Sequence, residues 1–133
     1  MSKNKEDGLP SKHGEIIVTK DDQGNYVATY EPKTIAVTEN DTVLTFKLVS
    51  PTPDDVVIRS VSIVPENQDQ LSTPSVSKNG KHVTLSDLNT VRQKFSLDIT
   101  FGDKKGAKLS VASPATMGVM SIMYPEIDND PPG

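Results

Sequence analysis

Lys94-Phe95-Ser96-Leu97-Asp98-Ile99-Thr100-Phe101 alternates apolar and polar residues without a break, and that period of two decides the fold. In an extended strand successive side chains point to opposite faces, so Phe95, Leu97, Ile99 and Phe101 share one face that must be buried. A helix would scatter the same four residues around its circumference. Working outward, short β-branched runs recur about every ten residues, a spacing typical of all-β domains. Turn signals separate them: Asp21-Asp22-Gln23-Gly24-Asn25, Glu39-Asn40-Asp41, Asn79-Gly80 and Asp103-Lys104-Lys105-Gly106.

The individual runs fit strands. Ile16-Ile17-Val18-Thr19 passes through the first turn into Tyr26-Val27-Ala28-Thr29-Tyr30, as a hairpin does. Pro32 ends that pair, and Thr34-Ile35-Ala36-Val37 leads into Thr42-Val43-Leu44-Thr45-Phe46-Lys47-Leu48-Val49, whose alternation puts Leu44, Phe46 and Leu48 in the core. Ser50-Pro51-Thr52-Pro53-Asp54-Asp55 is a loop, because closely spaced prolines cannot continue a ladder. Val56 to Val64 reads as one long strand bent at Arg59-Ser60, with Val57, Arg59, Val61 and Ile63 on one side, and Pro65 stops it. Asn79-Gly80 suits a type I′ turn between two short strands. Ser86 to Gln93 is polar and has room for one short helical turn capped by Ser86 or Asp87. Beyond the turn at Gly106 come Lys108-Leu109-Ser110-Val111 and an apolar run from Met117 to Met123.

These elements predict an all-β fold, a two-layer antiparallel β-sandwich of immunoglobulin-like or jelly-roll type with about nine short strands. With 133 residues the chain fits one domain. We expect residues 1–13 to be a disordered arm, since only Leu9 is apolar after Met1. Residues 14–124 form the sandwich, and 125–133, with three prolines and three acids, an extended tail across the surface.

Composition narrows the function classes. A net charge of −4 with scattered basic residues argues against nucleic acid, and the densest basic group, Lys104-Lys105 with Lys108, reads as a solvated hairpin. No apolar stretch is long enough to span a bilayer. Without cysteine there are no disulfides, no thiolate metal sites and no thiol nucleophile, which fits a reducing compartment. With no apolar signal segment among the first residues, the expectation is cytoplasmic.

No catalytic, cofactor-binding or metal-ligating residue stands out, and no cofactor is implied. A type 1 copper site needs a thiolate. The remaining soft ligands, Met117, Met120 and Met123 with His82, would lie on both faces of an extended strand, and methionine more often fills core gaps. His13 falls in the arm, and His82 reads as a solvent-facing strand residue with no orienting partner. No G-x-S-x-G elbow is present. Carboxylates gather at Asp21-Asp22, Asp54-Asp55 and Glu126-Asp128-Asp130, where a calcium site would draw its oxygens. The chain lacks Trp, leaving Tyr26, Tyr30 and Tyr124 as the tyrosines a sugar ring would stack on.

Met123-Tyr124-Pro125-Glu126-Ile127-Asp128-Asn129-Asp130-Pro131-Pro132, following a strand and a D-x-x-G hairpin, resembles the close of the DP-EP family of small bacterial proteins. That family is uncharacterised, so the resemblance implies a fold and a bacterial source and carries over no functional residue. The function expected is that of a non-enzymatic sandwich acting through its sheet edges, by self-association or by docking on a protein partner. Val56 to Val64 and Met117 to Met123 are the candidate edges. The alternative is a calcium- or carbohydrate-binding module using the acidic loops.

Overall fold

Every run that alternates in the sequence is a strand in the computed structural model, which describes residues 9–112 and 125–133. The strands are β1 (Ser11–Lys20), β2 (Tyr26–Glu31), β3 (Thr34–Val37), β4 (Thr42–Leu48), β5 (Val56–Val64), β6 (Ser75–Val76), β7 (His82–Asp87), β8 (Lys94–Asp103), β9 (Lys108–Leu109), β10 (Val111–Ala112) and β11 (Glu126–Asn129). They form two sheets, ordered β10-β2-β1-β4-β7-β6 and β3-β11-β8-β5, with β9 beside β8. The fold is a β-sandwich with no helix among the described residues. Its sheets are mixed rather than purely antiparallel: β1 runs parallel to β4, β10 to β2 and β11 to β3.

The inner faces carry the residues the alternation selects. Leu44, Phe46 and Leu48 of β4 and Phe95, Leu97 and Phe101 of β8 are buried, joined by Ile16, Val18, Tyr30, Ile35, Val83 and Ile127. Ile99 is only partly buried but packs against this core. The core is built mainly from branched aliphatics around three phenylalanines, so its cohesion depends on close packing of small units.

Several local expectations need correction. Ser11, Lys12 and His13 are not arm but strand, paired with Val43, Leu44 and Thr45 of β4. Burial explains the extension: Gly14 lies under the Phe46 ring, where an added Cβ would sit 2.8 Å from it. Residues 125–133 do not simply cross the surface. Glu126–Asn129 is a strand inserted between β3 and β8, burying Ile127 and Asn129. In β5 the register shifts between Ile58 and Ser60, and this bulge switches the inward set from Val56 and Ile58 to Val61 and Ile63. The continuous set of Val57, Arg59, Val61 and Ile63 therefore does not exist. No helical turn follows Ser86: Asp87 ends β7, and Asn89 takes a left-handed φ of 53°.

The turn at Asn79-Gly80 is not the two-residue type I′ form. Gly80 N donates to Ser77 O (2.9 Å), and Gly80 alone of the pair has a positive φ, 73°. Asp21 to Gly24 and Asp103 to Gly106 repeat the design, with the amide N of Gly24 and of Gly106 donating to the carbonyl of the leading Asp. In those two the leading Oδ1 also accepts two later N–H groups at 2.9 Å. A short polar side chain that holds the turn, with glycine in fourth place, replaces the tighter hairpin. The apolar run from Met117 to Met123 lies outside the described residues.

Candidate functional site

An exposed strand edge is the feature of this fold with chemistry left over, because its outward N–H and C=O groups can pair with another strand. Two of the edge strands, β6 and β10, are only two residues long, and β3 has four. β5 has nine and pairs on one side only, from Val56↔Asp103 to Val64↔Ser96 of β8.

The first half of that edge is covered. Ile58 N donates to Gly80 O at 2.8 Å, and the Lys81 ammonium reaches the carbonyls of Asp54 and Val56 at 2.6 Å each. An added Cβ on Gly80 would fall 2.6 Å from the Val57 Cβ, so glycine is what lets the turn lie this close. At the bulge, Arg59 lays its stem across Gly102 and donates from Nη1 to Gly106 O (2.5 Å), closing the β8–β9 turn over the strand. Lys104 fastens the same corner through Asp54 at 2.6 Å, and this ammonium holds the exposed Asp54 carboxyl below the usual carboxylate range.

From Ser60 to Val64 no hydrogen bond covers the outer edge among the described residues. Ser60 and Ser62 are exposed, and Val64 leaves 45% of its surface to solvent. A cavity of about 240 Å³ opens beside this half, lined by Val61, Ser62, Ile63, Glu66, Gln68 and Leu71. The bulge that ends the covered half thus begins the open one.

The acidic loops are not assembled. Asp21 holds its own turn, Asp54 pairs with Lys104, Asp130 pairs with Arg92 at 2.6 Å, and Glu126 accepts from Thr34 at 3.0 Å. Among the described residues no three acidic or histidine side chains form a group able to hold a metal. Tyr30 is buried and Tyr26 packs against the core with the Lys20 ammonium over its ring, so neither offers an open stacking face. Met117, Met120, Met123 and Tyr124 lie outside the described residues. His13 is exposed on β1 and His82 half-buried at the start of β7, opposite Thr45 and Lys47 of β4 respectively.

A polar cluster that the sequence reading passed over lies at one end of the sandwich. Asp87, Asn89 and Asn129 are fully buried, with Gln70 and Thr42 nearly so. Asp87 Oδ1 accepts from Asn89 N at 2.9 Å. Asn89 Nδ2 faces the carbonyls of Val37, Glu39 and Asp130. Gln70 Oε1 accepts from the N–H groups of Thr90 and Val91 at 2.8 and 3.1 Å. Burial pushes the Asp87 carboxyl up from the usual carboxylate value, with the Asn129 side chain and the Asn89 N–H offsetting part of that rise.

The profile of the DP-EP family matches residues 12–115, most of the chain and nearly all of the sandwich. The chain belongs to the DP-EP family. The match rests on the strands from β1 to β10 and stops short of the Pro125 to Pro132 run in which the resemblance was first visible. No curated protein matches this DP-EP chain. The family's name brings no activity with it, so any reading of this DP-EP sandwich has to come from its surface.

Proposed function

We propose that this DP-EP protein is a non-enzymatic β-sandwich that acts by associating with a second copy of itself through the open half of β5. The supporting observation is the division of that edge at the bulge. Val56 to Ile58 are covered by the Gly80 turn and Lys81, whereas no hydrogen bond among the described residues covers the outer edge from Ser60 to Val64, which borders a cavity of mixed polar and apolar lining. Natural edge strands are usually blunted by charge, proline, brevity or a bulge; Ser60-Val61-Ser62-Ile63-Val64 carries no charge and no proline, and the bulge of β5 lies at its start. Docking on a larger assembly would use the same edge. The acidic loops support the calcium or carbohydrate alternative less well, because several of their carboxylates already have partners.

Light scattering across a concentration series tests this reading. The native chain should exceed its 14.4 kDa monomer mass as concentration rises. The double variant Ser62→Lys with Val64→Lys, altering two exposed positions, should stay monomeric with an unchanged circular dichroism spectrum. A native chain that remains monomeric at millimolar concentration, with Ser60 to Val64 amide resonances unmoved by dilution, would rule the proposal out.

A further inference from the structure

Asp87 is the one carboxyl of the described residues with no exposed surface, and no Lys, Arg or His pairs with it there. It ends β7, opposite Thr42 of β4 on one side and bridged to Leu71 on the other. Its Oδ1 has the Asn89 N–H, but Oδ2 has no partner, and the amide oxygens of Asn89 and Asn129 have none either. The Asn89 N–H donates to Asp87 Oδ1, and the Asn129 side chain lends the carboxyl a second donor.

Three oxygens without a partner, one of them on a carboxyl with no cation, are a costly arrangement in a dry interior. Reversing the amides does not relieve it. Asn89 Nδ2 faces the carbonyls of Val37, Glu39 and Asp130 at 3.0 to 3.3 Å, and Asn129 Nδ2 faces Gln70 Oε1 and Val91 O at 3.4 and 3.3 Å. Either reversal would set oxygen against oxygen. The surrounding charges do not supply the donor. Glu39 and Asp41 on the β3–β4 connection, Asp69 beside Gln70, and Asp128 and Asp130 at β11 are all acidic. Of the nearby cations, Arg92 is engaged with Asp130 and is largely exposed, and Lys94 at the start of β8 is exposed.

We infer that Asp87, fully buried with an unpartnered Oδ2 and no cation beside it among the described residues, is held as the neutral carboxylic acid. The proton removes a buried charge that no cation balances. The carboxyl sits where the two sheets meet, because Asp87 ends β7, Asn129 ends β11 and Asn89 holds the carbonyls of Val37 and Asp130. Losing the proton leaves a buried carboxylate with no cation to balance it, and this end of the sandwich loosens. The cluster is a latch that holds in acid and weakens as pH rises.

The test compares the full chain with Asp87→Asn, whose Oδ1 keeps the Asn89 bond and whose Nδ2 supplies a permanent donor. Because the folded state keeps the Asp87 proton longer than the unfolded chain does, its contribution is complete below the unfolded value of about 3.9 and declines until pH passes the raised folded value. Stability of the native chain minus that of Asp87→Asn should therefore fall over that window, by about tenfold in the folded-to-unfolded ratio per pH unit, and then level off. A difference that is flat or rises with pH overturns the proposal. Should the variant not fold, the carboxyl ¹³C resonance of Asp87 in the native chain decides: titration above the ordinary aspartate range supports the neutral acid, and titration at or below it does not. A calcium, sodium or potassium salt that raises the melting midpoint of the native chain at pH 8 over EDTA at matched ionic strength, but not that of Asp87→Asn, would assign the orphaned oxygens to a cation instead.

Discussion

Gly80 meets two demands at once: a φ of 73°, which side chains with a Cβ rarely adopt, and an approach that leaves no room beside Val57. Gly80→Ala should cost about 2 kcal/mol, combining left-handed strain with overpacking, and chemical unfolding of the two chains checks it. Gly24 has the same sign of φ but open space around it, so Gly24→Ala should cost about 1 kcal/mol, less than the first. At this scale the sequence was partly readable. The dipeptide Asn79-Gly80 marks a reversal, yet its geometry was set by the Ser77 carbonyl, which a dipeptide pattern does not contain. Asp87 and Asn129 were also within reach: Val83 and Leu85 fix the inward parity that Asp87 continues, and Ile127 does the same for Asn129. The presumption that charged and amide residues face water hid them.

Among the elements, β8 matched its alternation closely because its three partners, β5, β9 and β11, are all antiparallel and leave its faces undisturbed. β5 did not, since a bulge is an extra residue that no period of two encodes. The open half of its edge was legible only as a candidate strand, because which half is covered depends on Gly80 and Lys81 arriving from a distant turn. β11 was the largest departure. Prolines and acids gave residues 125–133 the look of a solvated tail, while the two residues that matter, Ile127 and Asn129, are buried between β3 and β8. A chain ending at residue 124 should therefore fail to unfold cooperatively, because β3 loses the strand that joins it to its sheet; a sigmoidal melt from that truncation would contradict this. Within β4, Phe46→Ala removes a fully buried ring from the first sheet's inner face and should cost about 3–5 kcal/mol, measurable by urea denaturation.

Over the whole molecule, two carboxyls give opposing pH responses. Asp54, lowered by Lys104, stabilises above the ordinary aspartate value and loses that contribution as pH falls, whereas Asp87 acts in the other direction. Replacing Lys104 by Met should therefore alter the acid limb of the melting profile and leave the neutral limb in place, as a thermal series from pH 2 to 8 would show. The overall architecture followed from periodicity because a face that alternates must be covered, and two such faces cover each other. Strand order did not follow, since parallel neighbours such as β1 and β4 are joined through distant chain.

The placement of β11 also bears on biosynthesis. A polypeptide emerging from the ribosome makes β3 early, but the strand that seats β3 against β8 is encoded some ninety residues later. Until Glu126–Asn129 clears the exit tunnel, the second sheet lacks its keystone, and the half-made sandwich exposes the inner sides of Ile35 and Phe95 to whatever chaperone attends the nascent chain.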